Sequence, residues 1–145
     1  MKTNGGFLVT KIKQLGDRIF ARILAEKNID AFNGAQGRIL YVLWQEDGVP
    51  IKIISEKSGL AITSLTTMLE RMEKNGLISR KTDEADKRKT LLFLTDKAKE
   101  LKEAYDSVSN EMGNIYYRDF TDKEILQFEE YLNRIRVNLE EWSDK

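Results

Sequence analysis

Two groups of side chains between residues 62 and 90 are of a kind that binds a polyanion. The spacing predicts a helix over 62–75 with Leu65, Leu69 and Met72 turned inward. That leaves Thr63, Ser64, Thr67, Glu70, Arg71 and Lys74 on its outer face, with Thr66 at the margin. Small hydroxyls in a first helical turn let the backbone approach nucleic acid closely and bond base edges or phosphates, and Arg71 could reach a guanine edge or a phosphate. Thr63 and Ser64 are equally suited to capping the helix. The second group is the run Asp83-Glu-Ala-Asp-Lys-Arg-Lys89, with its acids first and its bases last. Such a run is usually a solvated hairpin tip. Beside a groove-reading helix, Lys87, Arg88 and Lys89 also suit the adjacent minor groove, where arginine is favoured, and Asp86 is spaced to hold Arg88.

Other chemistry finds little support. The 145 residues contain no histidine and no cysteine, so the commonest acid/base group, the commonest metal ligand and any thiol nucleophile are missing. No phosphate-binding glycine loop occurs, and the acid pairs Glu129-Glu130 and Glu140-Glu141 fall on polar helix faces. No enzyme, cofactor or metal site is expected. No apolar run approaches the ~18 residues needed to cross a bilayer and no signal peptide opens the chain, so a cytoplasmic protein without a membrane partner is expected. The 24 basic and 24 acidic residues cancel, but unevenly: residues 51–95 hold nine bases and six acids, residues 96–145 eight bases and thirteen acids. This asymmetry points the middle of the chain towards a polyanion and the tail away from one.

These side chains must be held by a scaffold, and the pattern predicts one. Asn33, with Gln36 three residues on, starts a helix through Trp44 that Gly48 closes. Val49-Pro50-Ile51 reads as an extended link. Lys52 to Ser58 form a two-turn helix burying Ile53 and Ile54, and Gly59-Leu60 supply a turn before the helix at 62. Leu77–Thr82 and Thr90–Leu94 read as short strands flanking the charged loop. Helix, turn, helix, strand, charged loop, strand is the order of a winged helix-turn-helix. At the ends of the chain lie three apolar seams. One is Leu8, Ile12, Leu15, Ile19 and Ile23; another is Ala98, Leu101, Tyr105, Val108, Met112 and Ile115, on one helix capped by Thr95. The third is Ile125, Phe128, Leu132, Ile135, Leu139 and Trp142, after the capping box Thr121-Asp-Lys-Glu124. Phe20, Leu24, Tyr116 and Leu126 are bulky residues beyond the seams. An intramolecular bundle would use these faces, but a chain of this size has too little surface to cover them all, which favours a symmetric dimer.

The sequence resembles the MarR family of bacterial transcriptional regulators. The resemblance runs through Ile51-Lys-Ile-Ile-Ser-Glu-Lys-Ser-Gly-Leu60, Thr63-Ser-Leu-Thr66 and Leu69-Glu-Arg-Met-Glu-Lys-Asn-Gly-Leu-Ile-Ser-Arg80. It continues through Asp83-x-x-Asp86-Lys-Arg88 and Leu92-Phe-Leu-Thr95. It implies a mainly α (α+β) fold, a single domain over 1–145. A winged lobe at about 32–95 would be flanked by dimerisation helices at about 6–28 and 96–143. It implies a homodimeric repressor on double-stranded DNA. Thr63, Ser64, Thr66, Thr67 and Arg71 would lie on the recognition helix, and Arg88, steadied by Asp86, would be the arginine of the wing. The family's small aromatic or anionic effectors would fall near Phe20, Tyr41 and Trp44, with Arg18, Arg22 or Arg38 as anion partner. Cysteine-based peroxide sensing and histidine-based zinc sensing are excluded by composition. The competing reading is a winged-helix module that binds a protein partner instead of DNA.

Overall fold

A computed structural model describes residues 1–145, and the chain divides into two compact units, 1–110 and 111–145, with the boundary inside one helix. The first unit contains α1 (Gly5–Glu26), α2 (Gly34–Gln45), β1 (Val49–Pro50), α3 (Ile51–Ser58), α4 (Ile62–Lys74), β2 (Ile78–Thr82), β3 (Thr90–Leu94) and α5 (Asp96–Glu100). It also holds most of α6 (Lys102–Tyr116); α7 (Asp122–Ser143) belongs to the second unit. The fold is mainly helical with a small antiparallel sheet, ordered β1-β3-β2.

Local chemistry sets the element boundaries. Asn33 Oδ1 accepts from the Gln36 N–H at 2.8 Å while Gln36 Oε1 accepts from the Asn33 N–H at 3.1 Å, a complete capping box at the start of α2. Thr121 and Glu124 make the same reciprocal pair for α7, at 2.9 and 3.1 Å. Thr95 Oγ1 accepts from the Ala98 N–H at 3.2 Å and starts α5. The core of the first unit is formed by Ile39, Leu40, Leu43, Ile54, Leu65, Leu69, Met72, Leu77, Ile78, Leu92 and Val108, all fully buried. Removing one such side chain to Ala costs about 2–5 kcal/mol.

The structure departs from the sequence pattern in several places. Gly48 does not close α2: the cap is Glu46, in extended conformation. Gly48, at φ +71°, instead turns the chain so that its N–H donates to Leu92 O at 3.0 Å. The expected link at 49–51 is a third strand: Val49 pairs with Leu92 and Pro50 with Leu91, and proline is tolerated because this is a sheet edge. Asp47 Oδ1 accepts the Leu94 N–H at 2.8 Å, continuing the edge where β1 is too short. The short helix begins at Ile51, and only Ile54 is buried; Ile53 is half-buried. Leu24, read as surplus to its seam, is core.

The helix expected from Thr95 onward is broken at Leu101 into α5 and α6. No glycine or proline explains the break. The Trp44 indole N–H donates to Ala98 O at 3.1 Å, and the Leu101 N–H reaches the same carbonyl at 3.2 Å. An indole from another helix thus occupies the acceptor that would continue the α-helical ladder, a recognised cause of helix interruption.

In the second unit, Tyr117 packs edge-on against Tyr116, Phe120 and Phe128, with ring centroids 5.1, 5.7 and 6.2 Å away. Its hydroxyl donates to Glu129 Oε2 at 2.7 Å. Burial, the Glu129 hydrogen bond and its charge push the phenol pKa well above the ordinary range. No residue of α7 is buried.

Candidate nucleic-acid interface

The turn between α3 and α4 is built from short local bonds. Gly59, at φ +75°, donates its N–H to Ser55 O at 3.0 Å; Ser55 Oγ donates to Leu60 O at 2.7 Å; the Leu60 N–H reaches Ser58 Oγ at 3.2 Å. The left-handed conformation is one that glycine adopts without steric cost. At the far end of α4, Gly76 at φ +75° and the Leu77 N–H to Met72 O bond, 2.8 Å, send the chain directly into β2.

α4 presents Leu65, Leu69 and Met72 to the core, and Thr63, Ser64, Thr66, Thr67, Glu70, Arg71 and Lys74 to solvent. Its N-cap is Ala61, with no side-chain cap, so Thr63 and Ser64 do not serve the capping role open to them in the sequence. Thr66 Oγ1 donates back to Ile62 O at 2.9 Å, which places that hydroxyl against the helix. Thr63, Ser64 and Thr67 are exposed.

β2 and β3 pair in register from Ile78 with Leu94 to Thr82 with Thr90, and the charged loop closes the hairpin. The Asp83 N–H donates to Lys89 O and the Lys89 N–H to Asp86 O, both at 2.9 Å; Asp83 Oδ1 accepts from the Ala85 N–H at 2.9 Å. Asp86 Oδ1 accepts from the Arg88 backbone N–H and from its Nε, each at 3.1 Å, and Oδ2 accepts from the guanidinium at 3.4 Å. These bonds, with Lys89 nearby, hold the Asp86 carboxyl below the usual carboxylate range. The Arg88 side chain is nonetheless 91% exposed: one edge is oriented by Asp86 and the rest is open. Lys87 and Lys89 flank it.

Two basic residues of this surface, Arg80 and Lys52, were missed by sequence reasoning. Arg80 Nε lies 3.3 Å from Glu73 Oε1 and so ties β2 to α4. Arg80, Arg88, Lys89 and Lys52 line one groove of about 690 Å³, together with Pro50, Ile51, Ile53, Glu56, Thr90 and Leu92. Lys52 and Arg80 are far apart in sequence, and only the packing of α3 beside the sheet reveals the cluster.

The expected effector residues are brought together in part. Phe20, Phe32, Tyr41 and Trp44 surround the Tyr105 ring, with centroids 6.2, 6.0, 5.9 and 5.2 Å from it. Tyr105, read from sequence only as a seam residue, is the hub. Its phenol pKa is raised by burial and by Tyr41, with Arg38 opposing and Asp106 adding. Arg22 pairs with Glu26 at 3.2 Å and is largely exposed; Arg38 pairs with Asp17 at 3.3 Å. Of the seam residues, Leu8, Ile12 and Leu15 on α1 are exposed. On α7, Ile125, Phe128 and Leu132 are half-buried, whereas Ile135, Leu139 and Trp142 are exposed, Trp142 at 73%.

A helix pair joined by a glycine turn, with the second helix showing a polar face beside a basic two-stranded hairpin, defines a winged helix-turn-helix protein. A model described as the MarR family matches residues 32–90, which span α2 through the wing. Through this lobe, and over less than half of its length, the chain is similar to the MarR family. It is 36% identical over 77 residues to the HTH-type transcriptional regulator TtmR of Methylorubrum extorquens, covering 53% of this chain and 40% of TtmR. It is 42% identical over 64 residues to the organic hydroperoxide resistance transcriptional regulator of Bacillus subtilis, covering 44% of each. The matched segment therefore spans less than half the length of either curated relative. The fold is also that of a mutant MarR from E. coli solved with operator DNA, at a TM-score of 0.80 and 22% identity over 90% of this chain and 91% of that one.

Proposed function

We propose that this chain is a DNA-binding transcriptional regulator that acts in the bacterial cytoplasm as a homodimeric repressor of a pseudo-palindromic operator. The observation that carries the reading is the outer face of α4. Its hydroxyls and Arg71 have no capping duty, and it stands beside a wing whose exposed Arg88 is already oriented by Asp86. Preset donors lose less freedom on binding than floppy ones. In this reading Thr63, Ser64, Thr67 and Arg71 read the major groove, Thr66 and Lys74 lie at the edge of the contact, and Lys87, Arg88 and Lys89 meet the neighbouring minor groove. The E. coli relative's structure with operator DNA supports this use of the fold.

A second copy of the chain accounts for the exposed apolar side chains of α1 and of α7. Leu8, Ile12 and Leu15 on one and Ile135, Leu139 and Trp142 on the other, with the half-buried Ile125, Phe128 and Leu132, would be covered in a dimer. Two recognition helices must then sit about 34–36 Å apart to enter successive major grooves. A small aromatic or anionic effector weakens binding if it favours a dimer with another spacing. The rings of Phe20, Tyr41 and Trp44 around Tyr105 are the place for it. Arg22 pairs with Glu26 and Arg38 with Asp17; of the two, Arg38 is the cation that acts on the Tyr105 phenol.

The test is a fluorescence titration of a pseudo-palindromic duplex from the gene's own upstream region against a random duplex, across a range of salt. Preference for the former, weakened by Arg88→Ala, is expected. Equal affinity at every salt concentration would overturn the specific-regulator reading.

A further inference from the structure

We propose that the groove between the first turn of α3 and the wing is a clamp for the DNA phosphate backbone, with Lys52 as its main cation. The inference rests on the DNA-binding reading above and adds residues outside the helix face and wing tip. If α4 lies in a major groove and Arg88 in the adjacent minor groove, one phosphodiester strand must pass between them, because a single strand separates those grooves. The groove lies between α3 and the wing and adjoins α4 through Arg80. Its wall includes Arg80, tied to α4 through Glu73, and Arg88 and Lys89 from the wing.

The four cations of the wall are not equivalent. Arg80 is partly neutralised by Glu73 and Arg88 by Asp86. Lys89 is the neighbour of Arg88 in the wing, already assigned to the minor groove. Lys52 is exposed, makes no salt bridge, and is held on the regular helix α3. Glu56, one turn along α3, is the only acid in the wall. A phosphate in the groove would meet Lys52 with attraction and Glu56 with repulsion, so changes at the two positions must act with opposite sign. Such a contact carries no base information: it fixes register and adds affinity uniformly.

The experiment measures affinity for the upstream duplex and for a random duplex between low and moderate salt, with wild type, Lys52→Ala, Lys52→Arg and Glu56→Gln. Lys52→Ala is expected to flatten the dependence of log affinity on log salt by about 0.9 per protomer in contact. It should weaken both duplexes by the same factor, leaving their ratio unchanged, and Lys52→Arg should restore the wild-type slope. Glu56→Gln should tighten both duplexes by several-fold. An unchanged slope in Lys52→Ala would overturn the clamp, and is the result expected if the groove instead serves a free small anion. A loss confined to the upstream duplex would also overturn it, because Lys52 would then be reading bases. Wild-type protein without salt-dependent DNA binding would overturn the regulator reading itself.

Discussion

Gly48 offers a quantitative test of how the lobe is seated, because two separate penalties fall on it. It sits at φ +71°, and a Cβ there would lie 2.6 Å from Cε1 of the Phe93 ring. The backbone term alone is about 1–2 kcal/mol for an L side chain in the left-handed region. Forcing a methyl into the Phe93 ring adds about 1–3 kcal/mol. Phe93 is half-buried and can swing, at the loss of its contact with the Lys81 ammonium 5.3 Å above the ring, so the lower part of that range is expected. Gly59 is the internal control: φ is +75°, but a Cβ would meet nothing within 4 Å. Both substitutions also stiffen the unfolded chain, worth about 0.4–1 kcal/mol in the opposite direction, and this cancels in the comparison.

Gly48→Ala should therefore be less stable than Gly59→Ala by at least about 1 kcal/mol. In urea titrations at one protein concentration this appears as a lower midpoint at unchanged slope. In the Phe93→Ala background the excess should vanish, since the colliding ring is gone. If Gly48→Ala costs no more than Gly59→Ala, or if the excess survives removal of the ring, the assignment of Gly48 to a steric role is wrong.

Further expectations follow from the site and the seams. Arg71→Ala should reduce discrimination between the upstream and random duplexes by about 1–3 kcal/mol if it contacts a base, measured as the ratio of the two affinities. An unchanged ratio would leave it a phosphate contact or idle. Leu139→Asp, at a position 66% exposed, should yield a folded monomer by light scattering with circular dichroism unchanged, and an intact dimer would remove Leu139 from the seam. The more buried Leu132→Asp should give monomer or unfolded protein. Tyr105 is raised above 10 in the folded chain, so its neutral form is favoured there. The associated stability is complete below pH 10 and declines as pH rises through the folded value, and Tyr105→Phe should abolish that part of the alkaline decline.

Much of the lobe was legible because its signals are local. The capping boxes at Asn33 and Thr121, the inward triad Leu65, Leu69 and Met72, and the Asp86–Arg88 spacing depend on residues within one or two turns. β1 was not legible: two residues ending in proline carry no period, and they become a strand only because Leu91 and Leu92 are brought alongside. The Leu101 break was hidden for the same reason, since its cause is an indole 54 positions from the carbonyl it meets. At the interface, the face of α4 and the wing tip could be read directly, whereas the groove joining Lys52 to Arg80 could not.

The sequence by itself determined where most of the helices form, which face of α4 is polar, and that histidine and cysteine chemistry is unavailable, because periodicity, capping and composition are properties of neighbouring residues. Tertiary structure alone decided that Tyr105 gathers four rings and that a side chain at Gly48 would meet the Phe93 ring. It also decided that four cations from α3, β2 and the wing share one wall. Those outcomes depend on distances between residues remote in the chain, and these are fixed only when the buried faces of the helices and the sheet pack together.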